Sequence, residues 1–432
     1  MANESFALTF DAPPRLERIA LASIAYFALL ILVFVGFQPF IPPASGTPLS
    51  AASTSQGDLL HQIFYLAVFA TVLVGAAQRR GLGAVRAMPL LFGLLQVWCV
   101  LSALWAMQHG VSLRRAVLEV ILSTSVLLSA DTIGPERAFR YLRILLAIVL
   151  AVNWFSIPLV HTAVHLPGEL DPGLVGDWRG LYGQKNAAGA VCALTAILFL
   201  FSRNGKYNWI GWLVSLFAVG FLVMTRSKTS LALLPVAVAA GVAYRAAWRD
   251  GLSRAIFAVF AALLISAAVA ASIFYADVIS HILEDPTEFT GRAEIWQAYL
   301  SFVHDHSWLG AGFGTLSNTG GVSPMHNYVN SSWVEAIGDS HDGYLQVLVM
   351  LGGVGFTLAI LSLLLEPLAR FWPLDYAQPG FRAMLFSLFV FFVLHNFMES
   401  DFLESDSGVW FCLLLVIAAL RNPDKMLTGI NH

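Results

Sequence analysis

Long apolar runs alternate with short polar stretches from residue 17 to residue 420. A bilayer-crossing helix needs about 20 mostly apolar residues, with about 17 tolerated. That rule places predicted spans near 17–37, 60–78, 87–107, 114–130, 143–160, 186–202, 208–225, 229–245, 255–275, 343–366, 381–399 and 407–420. The fourth, sixth and twelfth are short. No fixed-period repeat interrupts the series. The expected fold class is an all-α polytopic membrane protein of about 12 transmembrane helices. It forms one integral domain over 1–432, with a long outer loop, 276–342, between spans 9 and 10. Inside that loop Ile295, Trp296, Tyr299, Leu300 and Val303 fall at helical spacing, and the Gly-rich turn GAGFG (310–314) follows.

Composition agrees with this pattern. Hydrophobic residues make up 58% of the chain and charged residues only 12%, with a mean hydropathy of +0.72. Soluble domains carry about 25% charged residues. A net charge of −3 argues against a nucleic-acid partner. Cys99, Cys192 and Cys412 lie within apolar runs, which excludes a disulfide framework as the organising principle. The first run follows Arg15 and Arg18 and is long for a signal peptide, so it reads as a retained anchor.

Basic residues orient the spans. Of the 24 lysines and arginines, seventeen fall in one alternating set of connections and seven in the other. That asymmetry puts both termini in the cytoplasm. The minority set, on the outer side, is Arg114, Arg115, Arg179, Lys185, Arg226, Lys228 and Arg292. Five of these sit in three short stretches: DWRGLYGQKN (177–186), TRSKTS (225–230) and GRAEIW (291–296). Arginine keeps its charge in low dielectric and offers a planar fork of donors suited to phosphate oxygens. Arg179, Arg226 and Arg292, with Lys185 and Lys228 beside two of them, are therefore candidate ligands of a diphosphate headgroup. Singly, each is equally explained by snorkelling or by an acidic partner.

The stretch DSHDG (339–343) opens the tenth span. Asp339, Ser340 and Asp342 suit a helix N-terminus. His341 does not, because histidine is neither a preferred cap nor a favourable charge there. It is the best candidate for a general base, with Asp339 or Asp342 to orient the ring. His326, Asn186 and Glu399 are candidate sugar-binding or orienting residues, and Glu399, Asp401 and Glu404 in HNFMESDFLESD (395–406) suit pairing with the arginines. His304 with His306, and His161 with His165, lack further ligands for a metal. No G-x-S-x-G elbow supports a hydrolase. A transporter would place its ionisable residues at mid-membrane, where Glu119 and Glu366 are the main candidates.

WRGLYGQKNAAG, TRSKTSL, GRAEIW, WLGAGFG, HDGYLQVLVMLGGVG and HNFMESDFLES, in this order over roughly residues 175–410, resemble the O-antigen ligase/polymerase superfamily. The nearest likeness is to its exopolysaccharide-polymerisation branch. Ligases of that family have a His followed by Asn, Ser or Gln, nine residues and G-x-x-G. His341, Gly352 and Gly355 fit that spacing, with Asp342 as the departure. The resemblance implies a GT-C-like, metal-independent glycosyltransferase with no cofactor, acting at the periplasmic face of the bacterial inner membrane. Its donor would be an undecaprenyl-diphosphate-linked glycan and its acceptor a glycan or lipid A-core. Membrane lipids, a flippase and a chain-length regulator would be its partners. Carried over, Arg179, Arg226 and Arg292 hold the diphosphate and His341 deprotonates the acceptor hydroxyl. A repeat-unit polymerase is the first expectation, an O-antigen ligase the alternative, and a transporter the least favoured.

Overall fold

The computed structural model describes residues 15–40, 59–169, 172–201, 208–248, 250–274, 292–316, 322–329, 339–372 and 379–421. Segments 276–291, 317–321 and 330–338 of the expected outer loop lie outside the described residues, as do Arg203, Lys206, Arg249 and Lys425 of the basic count.

Thirteen helices are labelled here: α1 (Arg15–Phe34), α2 (Leu59–Arg80), α3 (Leu90–Leu101), α4 (His109–Ile133), α5 (Pro135–Leu159), α6 (Lys185–Leu200), α7 (Asn208–Thr225), α8 (Lys228–Ala247), α9 (Gly251–Phe274), α10 (Arg292–Asp305), α11 (Gly343–Ala359), α12 (Pro379–His395) and α13 (Gly408–Arg421). After Ala359, α11 continues through a π-helical stretch, Ile360–Leu365, into Glu366–Phe371. A helix stands at each of the twelve predicted spans, and α10 stands where helical spacing was read in the loop. Among the described residues four helices are long and apolar enough to cross a membrane: α4, α5, α8 and the continuous Gly343–Phe371. In the other eight apolar helices the apolar stretch among the described residues runs 10–17 residues. The span expected at 87–107 is shorter than its apolar run, because the helix tightens to a 3₁₀ turn at Ser102–Leu104.

Many apolar side chains face outward. Ile24, Phe155, Leu216 and Leu263 are each more than 60% exposed, on four different helices. A soluble surface rarely carries so much apolar area, whereas hydrocarbon solvates it. Inside, α13 is buried almost throughout and packs on α4, α5, α6 and α12. The Glu119 carboxyl lies within this core and accepts from the Trp410 indole (2.9 Å) and from Ser123. Glu366 is not a mid-membrane acid. It pairs with Arg370 (2.8 Å) and Arg421 (3.2 Å), a basic cluster at the ends of two helices.

The outer turn is stitched into the middle of α11. At Gly352 the backbone leaves the helix (φ 64°, ψ −173°), a region essentially restricted to glycine. Carbonyls freed by the break are taken up from outside the helix. Ala311 N–H donates to Val349 O (2.8 Å), Gly312 N–H to Met350 O (2.9 Å) and the Trp98 indole to Leu351 O (3.0 Å). Below the break, Gly353 N–H donates to Ser307 O (2.7 Å). An uncapped helix break in a membrane core would leave these groups unpaired, at several kcal/mol each. The two glycines of this turn admit different neighbours: Gly355 faces Trp98 of α3, whereas Gly352 admits a loop. A Cβ at Gly352 would lie 2.2 Å from the Trp308 carbonyl atoms. Gly352→Ala is expected to cost on the order of 3 kcal/mol. Thermal unfolding in detergent, with proteolysis of 307–314 as a local probe, measures this; an unchanged midpoint would contradict it.

Candidate active site

The site is assembled where one end of α6, α8, α10, α11 and α12 meets the connections before α6 and after α12. The stretch before α6 is fixed first by aromatic packing: Trp178 lies edge-on to Trp154 (5.4 Å) and Phe221 (5.3 Å). Its N–H donates to Met224 O (3.2 Å), tying it to the turn that carries Arg226. Gly180, at φ 58°, allows the chain to pass against Asn153, whose side chain accepts from Leu181 N–H (3.0 Å).

This local fold decides the fate of Arg179. Its guanidinium is 1% exposed and donates to Thr162 O (2.7 Å), Gly183 O (3.2 Å) and the Glu169 carboxylate (3.3 Å). Burial lowers its pKa and Glu169 counters that. A side chain so enclosed cannot reach a headgroup without leaving these acceptors. The Arg179 side chain is thus built into the loop that presents Asp177 and Lys185, while its Nη2 is buried with no hydrogen-bond partner among the described residues.

Two carboxylates organise the remaining cations, and the first turn of α6 joins them. Asp177, buried, accepts from Lys185 Nζ (2.7 Å) and from Arg226 Nη1 (3.1 Å). The next residue, Asn186, donates from Nδ2 to Glu399 Oε1 (2.8 Å). Arg292 Nη2 donates to the same Oε1 (3.2 Å), and its Nη1 donates to Met398 O. Arg226 is 70% exposed despite its ion pair, so its fork remains open to a ligand. Lys228, the first residue of α8, is also exposed.

His341 completes the second group. Its Nδ1 lies 3.6 Å from Glu399 Oε2 and 3.8 Å from Asp339 Oδ2, and that atom is shielded from solvent. The ring is nevertheless 29% exposed, so the accessible nitrogen is Nε2. Its φ of 49° is unusual for a residue with a side chain, as is the 53° of Arg226. Such strain, of order 1–3 kcal/mol, persists only where surrounding contacts enforce it. Here Asp339 Oδ1 accepts from His341 N–H (2.9 Å), and the Trp296 indole of α10 pins Ser340 O (2.8 Å).

The helix cap differs from the expectation. Asp342 alone caps α11, its Oδ1 accepting from Tyr344 N–H (2.9 Å) and Leu345 N–H (3.0 Å). The carboxylates that lie within 4 Å of the His341 ring are those of Asp339 and Glu399. Ser340 braces the cap through Asp342 N–H and the Ser400 hydroxyl. Glu399 is the closest carboxylate to the ring. Burial pushes its pKa up, but the His341 contact and the Arg292 charge outweigh that and hold it below the ordinary carboxylate value. It is therefore ionised at neutral pH.

Sequence reasoning missed His395, although it begins the HNFMESD stretch. Its Nδ1 lies 2.6 Å from Asp401 Oδ2 and its Nε2 3.3 Å from the Ser230 hydroxyl, all three side chains buried. Its carbonyl accepts from Met398 and Glu399 N–H groups (3.1 and 3.0 Å). Through that carbonyl His395 positions the turn that carries Glu399, and Asp401 six residues on was the available signal. His326 stands apart, exposed on a turn that Tyr328 ties to Asp305 (3.0 Å) at the far end of α10. Among the other histidines, His165 pairs with Glu169 (2.6 Å) and His304 with Asp305 (3.3 Å). No group of three or more potential metal ligands occurs among the described residues.

Fold and site together define a helical membrane protein with a cluster of cations, a histidine and an ionised carboxylate at one end of its helices. Residues 213–360 match the family model described as O-antigen ligase. This match supports the O-antigen ligase/polymerase superfamily, the one resembled by the sequence motifs, and does not separate the branches of that superfamily. It takes in Arg226, Arg292 and His341, whereas Lys185, Asn186 and Glu399 lie outside it. No curated protein matches the chain.

Proposed function

We propose that the protein is a membrane glycosyltransferase that moves glycan from an undecaprenyl-diphosphate carrier, acting as a polymerase of repeat units for exopolysaccharide or O-antigen. The observation that carries this reading is the Glu399 carboxylate, which gathers Arg292, Asn186 and His341 at one point. Nε2 of His341 takes the proton of an acceptor hydroxyl, and the oxygen attacks the anomeric carbon. The bond from that carbon to the diphosphate oxygen breaks, with inversion. Charge then develops on the diphosphate, where Arg292, Arg226, Lys185 and Lys228 stabilise it; fixed cations in a partly desolvated site are effective at this. Twelve crossings, cytoplasmic termini and a periplasmic site in the inner membrane complete the proposal, with metal and cofactor unneeded.

A ligase delivering finished glycan to lipid A-core is the second reading, favoured by the description of the matched family. Purified protein, given an undecaprenyl-diphosphate oligosaccharide and a glycan acceptor, is expected to release undecaprenyl diphosphate and form longer glycan. Failure of wild type with a validated donor would remove the transferase reading. In a deletion strain, loss of long chains everywhere indicates a polymerase, and long chains stranded on the carrier indicate a ligase. Arg292→Ala is expected to weaken donor binding about 10-fold or more, the loss typical of a charge-assisted bidentate contact. Titration of the variant with donor measures this, and unchanged affinity would take Arg292 out of the site.

A further inference from the structure

A cavity of about 790 Å³ opens far from the candidate active site. Three helices measure the separation. At the site α6 begins with Lys185, α8 begins with Lys228 and α12 ends with His395; at the cavity stand Phe199, Arg245 and Met384 of the same helices. Helices of this length rise about 25–30 Å, close to the thickness of the hydrocarbon core. The cavity therefore lies at the opposite membrane face.

Its lining is ordered as an amphiphile is ordered. Along α5 the lining residues run Arg140, Arg143, Ile144, Ala147 and Ile148, from the start of the helix inward. Arg245 adds a third guanidinium from α8, and Glu136 is the one acid in the lining. Beyond the arginines the walls are apolar: Ile144 and Ile148 on one side, Phe199, Phe381 and Met384 on the others. Arg140 and Arg245 donate no hydrogen bond among the described residues. A free inorganic anion would match the arginines but leave the apolar walls without a partner. A neutral lipid would match the walls but leave the Arg140 and Arg245 forks unused.

We infer that this groove binds one anionic phospholipid from the leaflet at that face, its phosphate on Arg140, Arg143 and Arg245 and its acyl chains along α5 and α12. Basic pockets between membrane helices take lipid headgroups in this way, and the arginine fork suits phosphate oxygens. The inference does not rest on the transferase reading, because the groove and the catalytic cluster share no residue. A bound lipid would join the far ends of α5, α6, α8 and α12, three of which carry site residues at their other ends.

Native mass spectrometry of the full chain in detergent tests this, with phosphatidylglycerol and phosphatidylcholine of identical acyl chains as the probes. Wild type is expected to retain one phosphatidylglycerol with a preference on the order of 10-fold or more over phosphatidylcholine. The double variant Arg140→Gln/Arg245→Gln should lose that preference. Arg137→Gln, an exposed arginine of α5 outside the groove, should keep it. Ala147→Trp, which fills the apolar wall and leaves the arginines in place, should exclude the lipid. Equal retention of the two lipids by wild type would overturn the proposal even if a variant failed to fold. So would an Arg137→Gln loss as large as that of the double variant. Displacement of the lipid by millimolar inorganic phosphate would replace it with a simple anion site.

Discussion

His341→Ala is expected to lower the rate of glycan transfer by about 10²–10⁴-fold, the usual contribution of a positioned general base, while donor binding stays near wild type. The split follows from the geometry. Nδ1 is turned inward toward Glu399 and Asp339, leaving Nε2 for the acceptor, and the imidazole's ion-pair contacts go to these carboxylates and not to the cradle's cations. Folding should survive, because the cap of α11 is Asp342 and the backbone at 341 is held by Asp339 and by Trp296 through Ser340. The measurement is single-turnover transfer with saturating donor, beside a separate binding titration. Transfer at the wild-type rate would exclude His341 as the base, and a matching loss of donor affinity would assign it to binding instead.

Glu399→Gln is expected to cost about 100-fold in transfer, from the loss of a charge facing the protonated base and of the ion pair that aims Arg292. The amide keeps the shape and one acceptor, so a purely structural role predicts little change. The pH dependence of stability gives an independent reading. The folded carboxyl titrates below its unfolded value, so its contribution is complete above the ordinary carboxylate range near ~4.3. That contribution is lost as pH falls through the depressed value. Wild type should therefore lose melting temperature below about pH 4 by a step that Glu399→Gln lacks. Parallel curves for the two proteins would place the stabilisation elsewhere.

Much of this was legible in the sequence, and the reasons for the exceptions are physical. Helix positions follow from runs of apolar residues, which is why a helix stands at every predicted span. His341 was legible because no capping rule accounts for a histidine before an apolar helix. The choice of cap within DSHD was not, since Asp339, Ser340 and Asp342 all have the right chemistry and only the entry angle of the chain selects Asp342. Arg179 looked equivalent to Arg226 and Arg292 because each is a lone outer arginine. What separates them is the fold around each: carbonyls of residues 162–183 and Glu169 enclose the Arg179 guanidinium, Arg292 is half-buried against Glu399, and Arg226 stays exposed. Glu399 was read as one acid among three, and its position at the junction of two helices and a loop is a property of packing alone.

The break at Gly352 has a topological consequence for the spacing between histidine and glycines. Backbone bonds from Ser307–Gly312 to Val349–Gly353 close the intervening chain into a ring, clasped without a covalent link. His341 belongs to that ring, a few helical turns before the clasp. The ten residues between His341 and Gly352 thus act as a ruler: they fix how far the proposed base stands from the joint that fastens the outer loop to the membrane domain. An insertion or deletion there would leave both the base and the joint chemically intact and still separate them from the register in which they work together.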